Sequence, residues 1–348
     1  MSSTPPVPGK VLITGARGFL GAALTKALQQ DPKWIPLAGT RDGQPGTRLA
    51  QIEGLQVVVC DVTDPASVAS ALQGCDAVVH CAFGDRAATV DGTRTVLRAA
   101  QEAGIERMVH ISTIAVHGGA TGLITEVSPR VDPTIPDYAG NKAAAENVLF
   151  EAINSTPDQD PDQTPRLIIL RPTIIYGPGS QLWIDSLASR LRSGLWGRFG
   201  PLGEGTCNPI HVDDVIAAIG QALVTNVASG STYIINGADR LTWNDWFAAV
   251  AQALGLKTPE TVSPGALKAR TYASLPLKAL RKLAPELAKP FAPWIEAAPA
   301  RSELTLFALK ADYCADKASQ ELGWTAQISL QDGIADAVAP LLDKADQP

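Results

Sequence analysis

The chain has 348 residues, of which 45% are hydrophobic and 18% charged, as is typical of a soluble enzyme with one large domain or two unequal ones. Its formal net charge is −6, so it lacks the basic excess that general nucleic-acid binding needs. It has no run of about 18 apolar residues, so we expect no integral membrane segment.

The first part of the chain predicts alternating strands and helices. The opening MSSTPPVPGK lacks the apolar core of a secretory signal and predicts a short disordered tail. The apolar runs that follow are nearly continuous, which favours strands covered on both faces of a Rossmann-type, doubly wound parallel α/β sheet. Strands are predicted at 10–14, 34–40, 55–60, 76–82 and 107–113, and helices at 22–30, 65–72 and 89–103.

The regular alternation of strands and helices ends in the later part of the chain. Further helices are predicted at 138–153, 181–193, 212–224 and 243–254, strands at 166–172 and 232–236, and a solvated loop at 155–166. This mixture is too irregular for a second doubly wound domain. We therefore expect a Rossmann domain over residues 1–175, with later returns at about 205–240, and mainly a smaller, mixed substrate-binding cap over 176–348.

Residues 264–301 form an unusual segment with seven basic residues and two acidic ones. Leu277, Leu280, Leu283 and Leu287 recur between the basic residues at helical spacing. One interpretation is a membrane-surface helix or a lid over the substrate. The favoured one is a helix with its apolar face on the core and its basic face in solvent. Prolines are expected to keep any helix here short, namely Pro276, Pro285, Pro290 and Pro293.

The cysteines argue against metal and disulfide chemistry. They are odd in number, widely spread and without a Cys-x-x-Cys pair, which is unlike a disulfide framework or a zinc site. We predict no metal, and reduced thiols in a cytoplasmic protein. The five are Cys60, Cys75, Cys81, Cys207 and Cys314.

A glycine-rich loop, TGARGFLG, follows the first predicted strand directly and leads into a helix. Gly15 suits the tight turn, Gly18 allows close approach of a pyrophosphate, and Gly21 lets the helix pack on the sheet. The free N–H groups and partial positive charge of the helix N-terminus favour phosphates. The placement between strand and helix predicts a dinucleotide site.

The second predicted strand indicates which dinucleotide binds. NAD enzymes usually carry an acidic residue about twenty positions after the glycine loop, to bind the adenosine ribose. Here the second strand ends Ala38-Gly39-Thr40-Arg41 with no acid before Asp42, and Arg41 could pair with a 2′-phosphate while Arg17 adds a second contact. We predict NADP, with NAD possible.

Further cofactor contacts are predicted in the glycine loop and at later strand ends. Asp61 closes the third strand and could accept the adenine amino group, although a helix cap is the alternative role. His80 lies in an apolar run and is expected to be a core residue. The other predicted cofactor-binding residues here are Phe19, Leu20, Val62, Cys81, Ala82 and Phe83.

Tyr138 and Lys142 are predicted to share one face of a helix. An ammonium group beside a phenol is expected to lower the phenol pKa, which makes Tyr138 a plausible general acid/base. Thr113, at the end of the fifth predicted strand, could bind a substrate oxygen. A second Tyr-x-x-x-Lys, from Tyr313 to Lys317, is interpreted as chance or structural.

Motifs over nearly the whole chain resemble the extended short-chain dehydrogenase/reductase family. The later half looks more like its dihydroflavonol-reductase and 3-beta-hydroxysteroid-dehydrogenase branches. The motifs are TGARGFLG (14–21), Asp61, DAVVHCAF (76–83), ISTIAVHG (111–118), YAGNK (138–142), RPTIIYGPG (171–179), NPIHVDDV (208–215) and YIINGADRLTW (233–243).

The resemblance implies a Thr113, Tyr138 and Lys142 catalytic set. Tyr138 would exchange a proton with the substrate oxygen, Lys142 would hold the nicotinamide ribose and tune Tyr138, and Thr113 would polarise the carbonyl. Pro172 and Ile175 would pass near the nicotinamide carboxamide. Family analogy also suggests a homodimer formed by the predicted helices at 89–103 and 138–153.

Departures from the family pattern narrow the range of possible substrates and reactions. Dehydratases carry Asp-Glu after the catalytic Thr, whereas Ile114 and Ala115 follow here. Many nucleotide-sugar epimerases have an Arg four residues before the His of the HV-D motif, and an Asn after the RP strand. Cys207 and Thr173 stand there, which argues against diphosphate recognition, and Thr89 replaces the usual Asn after the fourth strand.

Three functions therefore remain open. The leading hypothesis is an NADP-dependent oxidoreductase that interconverts a carbonyl and a secondary alcohol on a small, non-nucleotide substrate. The second is a nucleotide-sugar epimerase that uses the same residues by transient oxidation. The third is a non-catalytic NADP-binding regulatory protein, against which the retained Thr113, Tyr138 and Lys142 argue.

Overall fold

The computed structural model describes residues 9–155 and 165–343. A seven-stranded, fully parallel sheet lies at its centre, in the order β11-β7-β5-β4-β1-β2-β3. The strands of this sheet are β1 (Gly9–Thr14), β2 (Trp34–Thr40), β3 (Gln56–Val59), β4 (Ala77–His80), β5 (Arg107–Ile111), β7 (Arg166–Pro172) and β11 (Ser231–Ile235).

Two helical layers cover this sheet. On one side α1 and α7 enclose a core with Leu24, Ile219 and Trp324, and on the other α3, α4 and α5 enclose one with Val96 and Leu149. The helices are α1 (Phe19–Gln30), α2 (Gly46–Leu49), α3 (Pro65–Ala71), α4 (Gly92–Glu102), α5 (Tyr138–Ser155), α6 (Ser186–Arg192), α7 (Val212–Val224), α8 (Trp243–Ala253), α9 (Pro264–Leu283), α10 (Pro285–Ala288), α11 (Ala292–Ala297), α12 (Arg301–Ala308) and α13 (Leu330–Asp343).

The predicted doubly wound Rossmann sheet is confirmed, since parallel strands with helices on both faces are the arrangement that the alternation implies. Asp64 caps α3 by accepting a hydrogen bond from the Ala66 amide. The expectation of full burial is wrong for β3, an edge strand whose four residues are all exposed or half-buried. The predicted tail and most of the predicted 155–166 loop lie outside the described residues.

Short strands that the sequence did not predict form three separate two-stranded sheets. The short strands are β6 (Gly122–Ile124), β8 (Ile174–Tyr176), β9 (Thr206–Cys207), β10 (Pro209–His211), β12 (Leu241–Thr242) and β13 (Ala311–Tyr313). The pairs are β8 with β10, β9 with β12 and β6 with β13. The last pair joins residues nearly two hundred positions apart.

The later part of the chain has its own aromatic core. Trp196, Phe199, Trp243, Phe247 and Phe307 are all buried and contact one another in tilted or edge-to-face pairs. Such pairs add to the free energy that burial of their large surfaces supplies. This second core therefore stabilises the region in which α6, α8 and α12 meet.

The 264–301 segment departs from expectation in two ways. Helix α9 runs for 20 residues and passes through Pro276, so the prediction that prolines keep every helix here short is wrong. Proline removes one main-chain hydrogen bond, and the remaining bonds continue the helix on either side. Leu283 and Leu287 are 86% and 67% exposed, so the expected apolar face on the core is also wrong for them.

Within the described ranges, no helix has both the length and the apolarity needed to cross a membrane.

Candidate active site

The glycine loop between β1 and α1 has little room for side chains. Gly15 has a φ of +67°, and a Cβ on it would lie 2.7 Å from the Cα of Ala82. A Cβ on Gly21 would lie 2.4 Å from the Gly15 carbonyl oxygen, whereas one on Gly18 would lie 3.2 Å from it. Gly15 and Gly21 are therefore required by the backbone, and Gly18 keeps the start of α1 accessible to a ligand.

A cavity of about 330 Å³ opens beside this loop at the carboxyl ends of β1, β2 and β4. In a parallel sheet this edge is where ligands bind. Within the described residues its wall includes nine of the predicted cofactor residues: Gly15, Arg17, Gly18, Arg41, Asp61, Val62, Cys81, Ala82 and Phe83. It also includes four that the sequence analysis missed: Gly39, Thr40, Cys60 and Ala88.

This cavity has the properties of a dinucleotide site. Phosphates need hydrogen-bond donors and positive charge. The free N–H groups at the start of α1 and the two arginines supply them, and the narrow glycine turn leaves room for a ligand. The other seven predicted cofactor residues do not line it in the described structure: Phe19, Leu20, Gly21, Tyr138, Lys142, Pro172 and Ile175.

Acidic side chains accompany both arginines at the cavity. Arg17 pairs with Asp42 at 3.0 Å, and the largely exposed Arg41 lies 4.0 Å from the Asp61 carboxylate. Asp61 accepts bonds from the Thr63 amide and hydroxyl, which lower the pKa of Asp61. Exposed pairs of this kind contribute about 0–1 kcal/mol, so a phosphate could displace the carboxylates at low cost.

Thr113, Tyr138 and Lys142 come together at the ends of β5 and α5. Thr113 opens a short turn at Ile114–His117, and its hydroxyl also interacts with the Tyr138 phenol. The Lys142 Nζ donates to the Ile111 carbonyl at 2.8 Å and lies 5.7 Å from the Phe83 ring centroid.

Phe83 links the predicted catalytic set to the cavity. Its ring packs edge-on against Tyr138, with ring centroids 6.0 Å apart, and it also forms part of the cavity wall. Half of Tyr138 is exposed, whereas Lys142 is buried. The predicted set is thus contiguous with the predicted cofactor residues.

The ionisation of this pair differs from the prediction. Although half of the Tyr138 side chain is exposed, the loss of water around its phenol raises the pKa of Tyr138, and the Thr113 hydrogen bond offsets only part of that rise. The expected lowering by Lys142 is therefore wrong for this structure, because the ammonium points to the Ile111 carbonyl. Burial also lowers the pKa of Lys142 to about 8.

A buried ion-pair network lies one helical turn beyond Lys142. Glu146 accepts two bonds from Arg171, at 2.7 and 2.8 Å, one from Arg130 at 3.0 Å and one from Ser112 at 2.6 Å. Burial alone would raise the pKa of Glu146, but these partners outweigh it and hold the pKa below its ordinary value. The network joins α5 to β5 and β7 behind the predicted catalytic residues.

The sequence analysis missed Gly140, which fixes the start of α5. A Cβ there would lie 2.1 Å from the Ile135 carbonyl oxygen, and its amide donates to the Asp137 carboxylate. Arg86, from the segment after β4, donates to Asn141 beside it. The sequence offered two signals: Gly140 follows Tyr138 by two residues, and Glu146 follows Lys142 by four.

Other predicted residues have structural roles. His80 is fully buried between the Thr14 and Thr93 hydroxyls, as expected for a core residue. Thr89 both donates to and accepts from the backbone of Gly84, and thus holds the chain after β4.

The second Tyr-x-x-x-Lys does not lie on one helix. Tyr313 ends β13, whereas Lys317 lies in the helical turn that follows and donates to the Thr232 carbonyl. The two side chains therefore do not share a helix face as Tyr138 and Lys142 do.

Residues 11–236 match the family model described as "NAD dependent epimerase/dehydratase family". A 2-alkyl-3-oxoalkanoate reductase from Stenotrophomonas maltophilia is 29% identical, over 93% of this chain and 97% of its own. A UDP-glucose 4-epimerase from Vibrio cholerae is 24% identical, over 72% and 78%. A solved UDP-glucuronic acid 4-epimerase from Bacillus cereus, in complex with NAD, is 19% identical, over 97% of this chain and 100% of its own, with a TM-score of 0.71.

Replacing Glu146 by Gln should destabilise the protein by about 3–5 kcal/mol, because it leaves the buried Arg171 without a counter-ion. The Glu146 pKa is lowered on folding, so its stabilisation is present above the ordinary carboxyl pKa and is lost as the pH falls through the folded value. Urea unfolding at about pH 7 and about pH 4 should show a larger loss on acidification for the native chain than for Glu146→Gln. The control is Glu151→Gln, an exposed site on the same helix. Equal stabilities for the two variants would contradict the role of this network.

Proposed function

Because the chain belongs to the NAD dependent epimerase/dehydratase family and is an NAD(P)-dependent oxidoreductase, we propose that it interconverts a carbonyl and a secondary alcohol. The proposed substrate is small and carries no nucleotide, and the proposed coenzyme is NADP. The observation that carries this proposal is the continuity of Thr113, Tyr138 and Lys142 with the glycine-loop cavity through Phe83.

Each side chain has a defined task in this proposal. Tyr138, kept protonated by its surroundings, donates a proton to the carbonyl oxygen during reduction and accepts it back during oxidation. Thr113 positions and polarises the same oxygen. Lys142 holds the ribose hydroxyls and places positive charge beside the phenolate that forms. The nicotinamide coenzyme supplies or accepts the hydride.

Several residues support a non-nucleotide substrate. Cys207, where many epimerases carry a diphosphate-binding Arg, is fully buried and its thiol pKa is raised far by burial. Thr173 bonds to Asn236 and the Ile235 carbonyl and is buried. The reductase relative named above matches nearly the full length of both chains, which favours net reduction over epimerisation.

Three further proposals concern the phosphorylated form of the coenzyme, the oligomeric state and the cellular location. NADP is supported by Arg41 and Arg17 at the cavity. We further propose a homodimer through α4 and α5, and a cytoplasmic enzyme, which all five cysteines support by being unpaired thiols. Residues 176–348 would supply most of the substrate contacts, with α7 and β11 returning to the Rossmann layer.

Steady-state absorbance at 340 nm distinguishes the candidate reactions. With NADPH and a panel of ketones, aldehydes, sugars and sterols, the proposed enzyme should consume NADPH in proportion to the alcohol formed. An epimerase would convert its nucleotide sugar with no steady absorbance change. A regulatory protein would show coenzyme binding with no turnover on any member of the panel, and either result would exclude the proposal.

Tyr138→Phe should lower kcat by about 10²–10⁴-fold, because the phenol is the proposed proton donor. Coenzyme affinity, followed by quenching of protein fluorescence, should change little. Tyr313→Phe is the matched control, since it removes the hydroxyl of the other Tyr-x-x-x-Lys. Undiminished turnover in Tyr138→Phe would refute the assigned role.

Arg41→Ala should lower kcat/KM with NADPH by roughly 10–100-fold, because a charge-assisted bond to the 2′-phosphate is worth about 1.5–3 kcal/mol. The value with NADH should be nearly unchanged. Lys33→Ala, at another exposed position near β2, serves as the control. A native chain that prefers NADH would reject the NADP assignment, while leaving the Tyr138 proposal intact.

A further inference from the structure

Helix α9 carries apolar side chains on the face that points away from the protein. Tyr272, Leu275 and Leu283 are 56%, 48% and 86% exposed, and they follow one stripe along the helix at spacings of three and eight residues. Lys268 and Lys282 lie on the same stripe and are also exposed. The outward face is therefore apolar along its length, with a lysine near each end.

The inward face of α9 is more polar than a core-facing stripe usually is. Thr271 and Ser274 are buried there with Leu267. The Thr271 hydroxyl contacts the Leu267 and Pro299 carbonyls at 3.0 and 2.9 Å, and the Ser274 hydroxyl donates to the Thr271 carbonyl at 2.8 Å. These hydroxyls find partners within the protein, whereas the larger apolar groups face out. Packing against the core does not explain the leucines on the outer stripe.

The apolar surface continues past the end of α9. Leu287, Phe291 and Trp294 are 67%, 44% and 59% exposed. We call these three residues and the exposed Tyr272, Leu275 and Leu283 the 272–294 surface; the Trp294 side chain also lines a cavity of about 230 Å³ against Ala273 and Leu277 of α9. Six of the sixteen large hydrophobic residues exposed in the described structure thus fall within 23 positions. Single exposed leucines are ordinary, but a concentration of this kind marks an interaction surface.

The charge of this region is opposite to that of the rest of the chain. Residues 264–301 carry a net charge of +5, and since the whole chain carries −6, the remaining residues carry −11. Helix α9 contains five basic residues and no acidic one. Arg281 and Lys282 are exposed, and Lys289 forms an exposed ion pair with Glu286. A positive region interleaved with apolar groups complements a surface that is anionic outside and apolar beneath.

The aromatic residues favour a lipid surface over a protein partner. Trp and Tyr are enriched at membrane–water interfaces because their rings are apolar and their N–H or O–H groups are polar. Tyr272 and Trp294 both lie on the 272–294 surface, and the Arg301 guanidinium packs 4.8 Å from the Tyr272 ring centroid. A second copy of the chain would bring two positive regions together, which costs free energy.

We propose that the 272–294 surface binds the surface of a bilayer that contains anionic phospholipids. Leu275, Leu283, Leu287, Phe291 and Trp294 enter the region between headgroups and acyl chains. The basic side chains around them contact phosphates. The contact is peripheral and reversible, and it adds to the proposed reaction without depending on it.

Flotation with lipid vesicles tests this contact on the full-length protein. The native chain should float with phosphatidylcholine vesicles containing about one-third phosphatidylglycerol, and remain unbound with phosphatidylcholine alone. Binding should weaken as salt is raised, because salt screens the attraction. Lys268→Gln with Lys282→Gln should lower the partition constant by roughly fivefold per lysine. The control pair Lys26→Gln with Lys33→Gln, at exposed sites elsewhere, should bind like the native chain.

The apolar half of the contact needs its own variants. Leu283→Ser with Leu287→Ser should reduce vesicle binding by more than tenfold, because two leucines no longer enter the bilayer. Leu123→Ser with Val224→Ser removes similarly exposed apolar groups elsewhere and should change binding little. Circular dichroism establishes that each variant is folded before its binding is compared.

Trp294 provides a spectroscopic readout. All seven tryptophans lie in the described ranges, and Trp294 alone among them is exposed. Anionic vesicles should shift the emission to shorter wavelength, and Trp294→Phe should abolish that shift.

Three results would overturn the proposal. The first is equal recovery with neutral and anionic vesicles. The second is a dimer that Leu283→Ser with Leu287→Ser dissociates while the native chain ignores vesicles, which would assign the surface to a second copy. The third is unchanged flotation of both variant pairs, which would place any lipid contact elsewhere.

Discussion

A buried ammonium group requires oxygen partners, and at Lys142 the described structure supplies one at hydrogen-bonding distance, the Ile111 carbonyl. Two imidazoles lie close by, since His80 and His110 both interact with the Lys142 charge. Burial lowers the pKa of His80 to about 3 and that of His110 well below its ordinary value, so both remain neutral. The site therefore holds Lys142 as its cation. Burial lowers the Lys142 pKa to about 8, so the protonated form is only modestly favoured over the neutral one near neutral pH.

The position of Lys142 depends on what lies behind it. Glu146 follows it by one turn on α5 and is held by Arg171 from β7 and Ser112 from the end of β5. These bonds join the helix to two strands of the sheet, so that α5 cannot rotate without breaking a buried ion pair. At the other end Gly140 lets the helix start close against the Ile135 carbonyl. A lysine that is proposed to stabilise a phenolate needs such support, because small displacements change both hydrogen bonding and charge interaction.

Much of this arrangement could be predicted from local sequence. The strand–helix alternation, the glycine loop and the Tyr138–Lys142 spacing are short-range patterns, and from them the sheet, most of the cavity wall and the proximity of Thr113, Tyr138 and Lys142 could be predicted. Long-range features were out of reach, since nothing local indicates that β6 pairs with β13 or that Arg171 meets Glu146. The Tyr138 pKa was mispredicted for a related reason. Sequence spacing shows that an ammonium can be near, but only the fold shows where it points and how much water the phenol loses.

Composition gives the net charge of the chain but not where on its surface the charged residues lie. A chain of −6 is expected to avoid anionic partners. Charges in water, however, are screened over about 8 Å at physiological ionic strength. A partner that approaches α9 therefore interacts most strongly with the basic residues nearest to it, and charges more than a Debye length away contribute little. Segregating charge in this way allows a protein that is acidic overall to have one face that attracts phosphate.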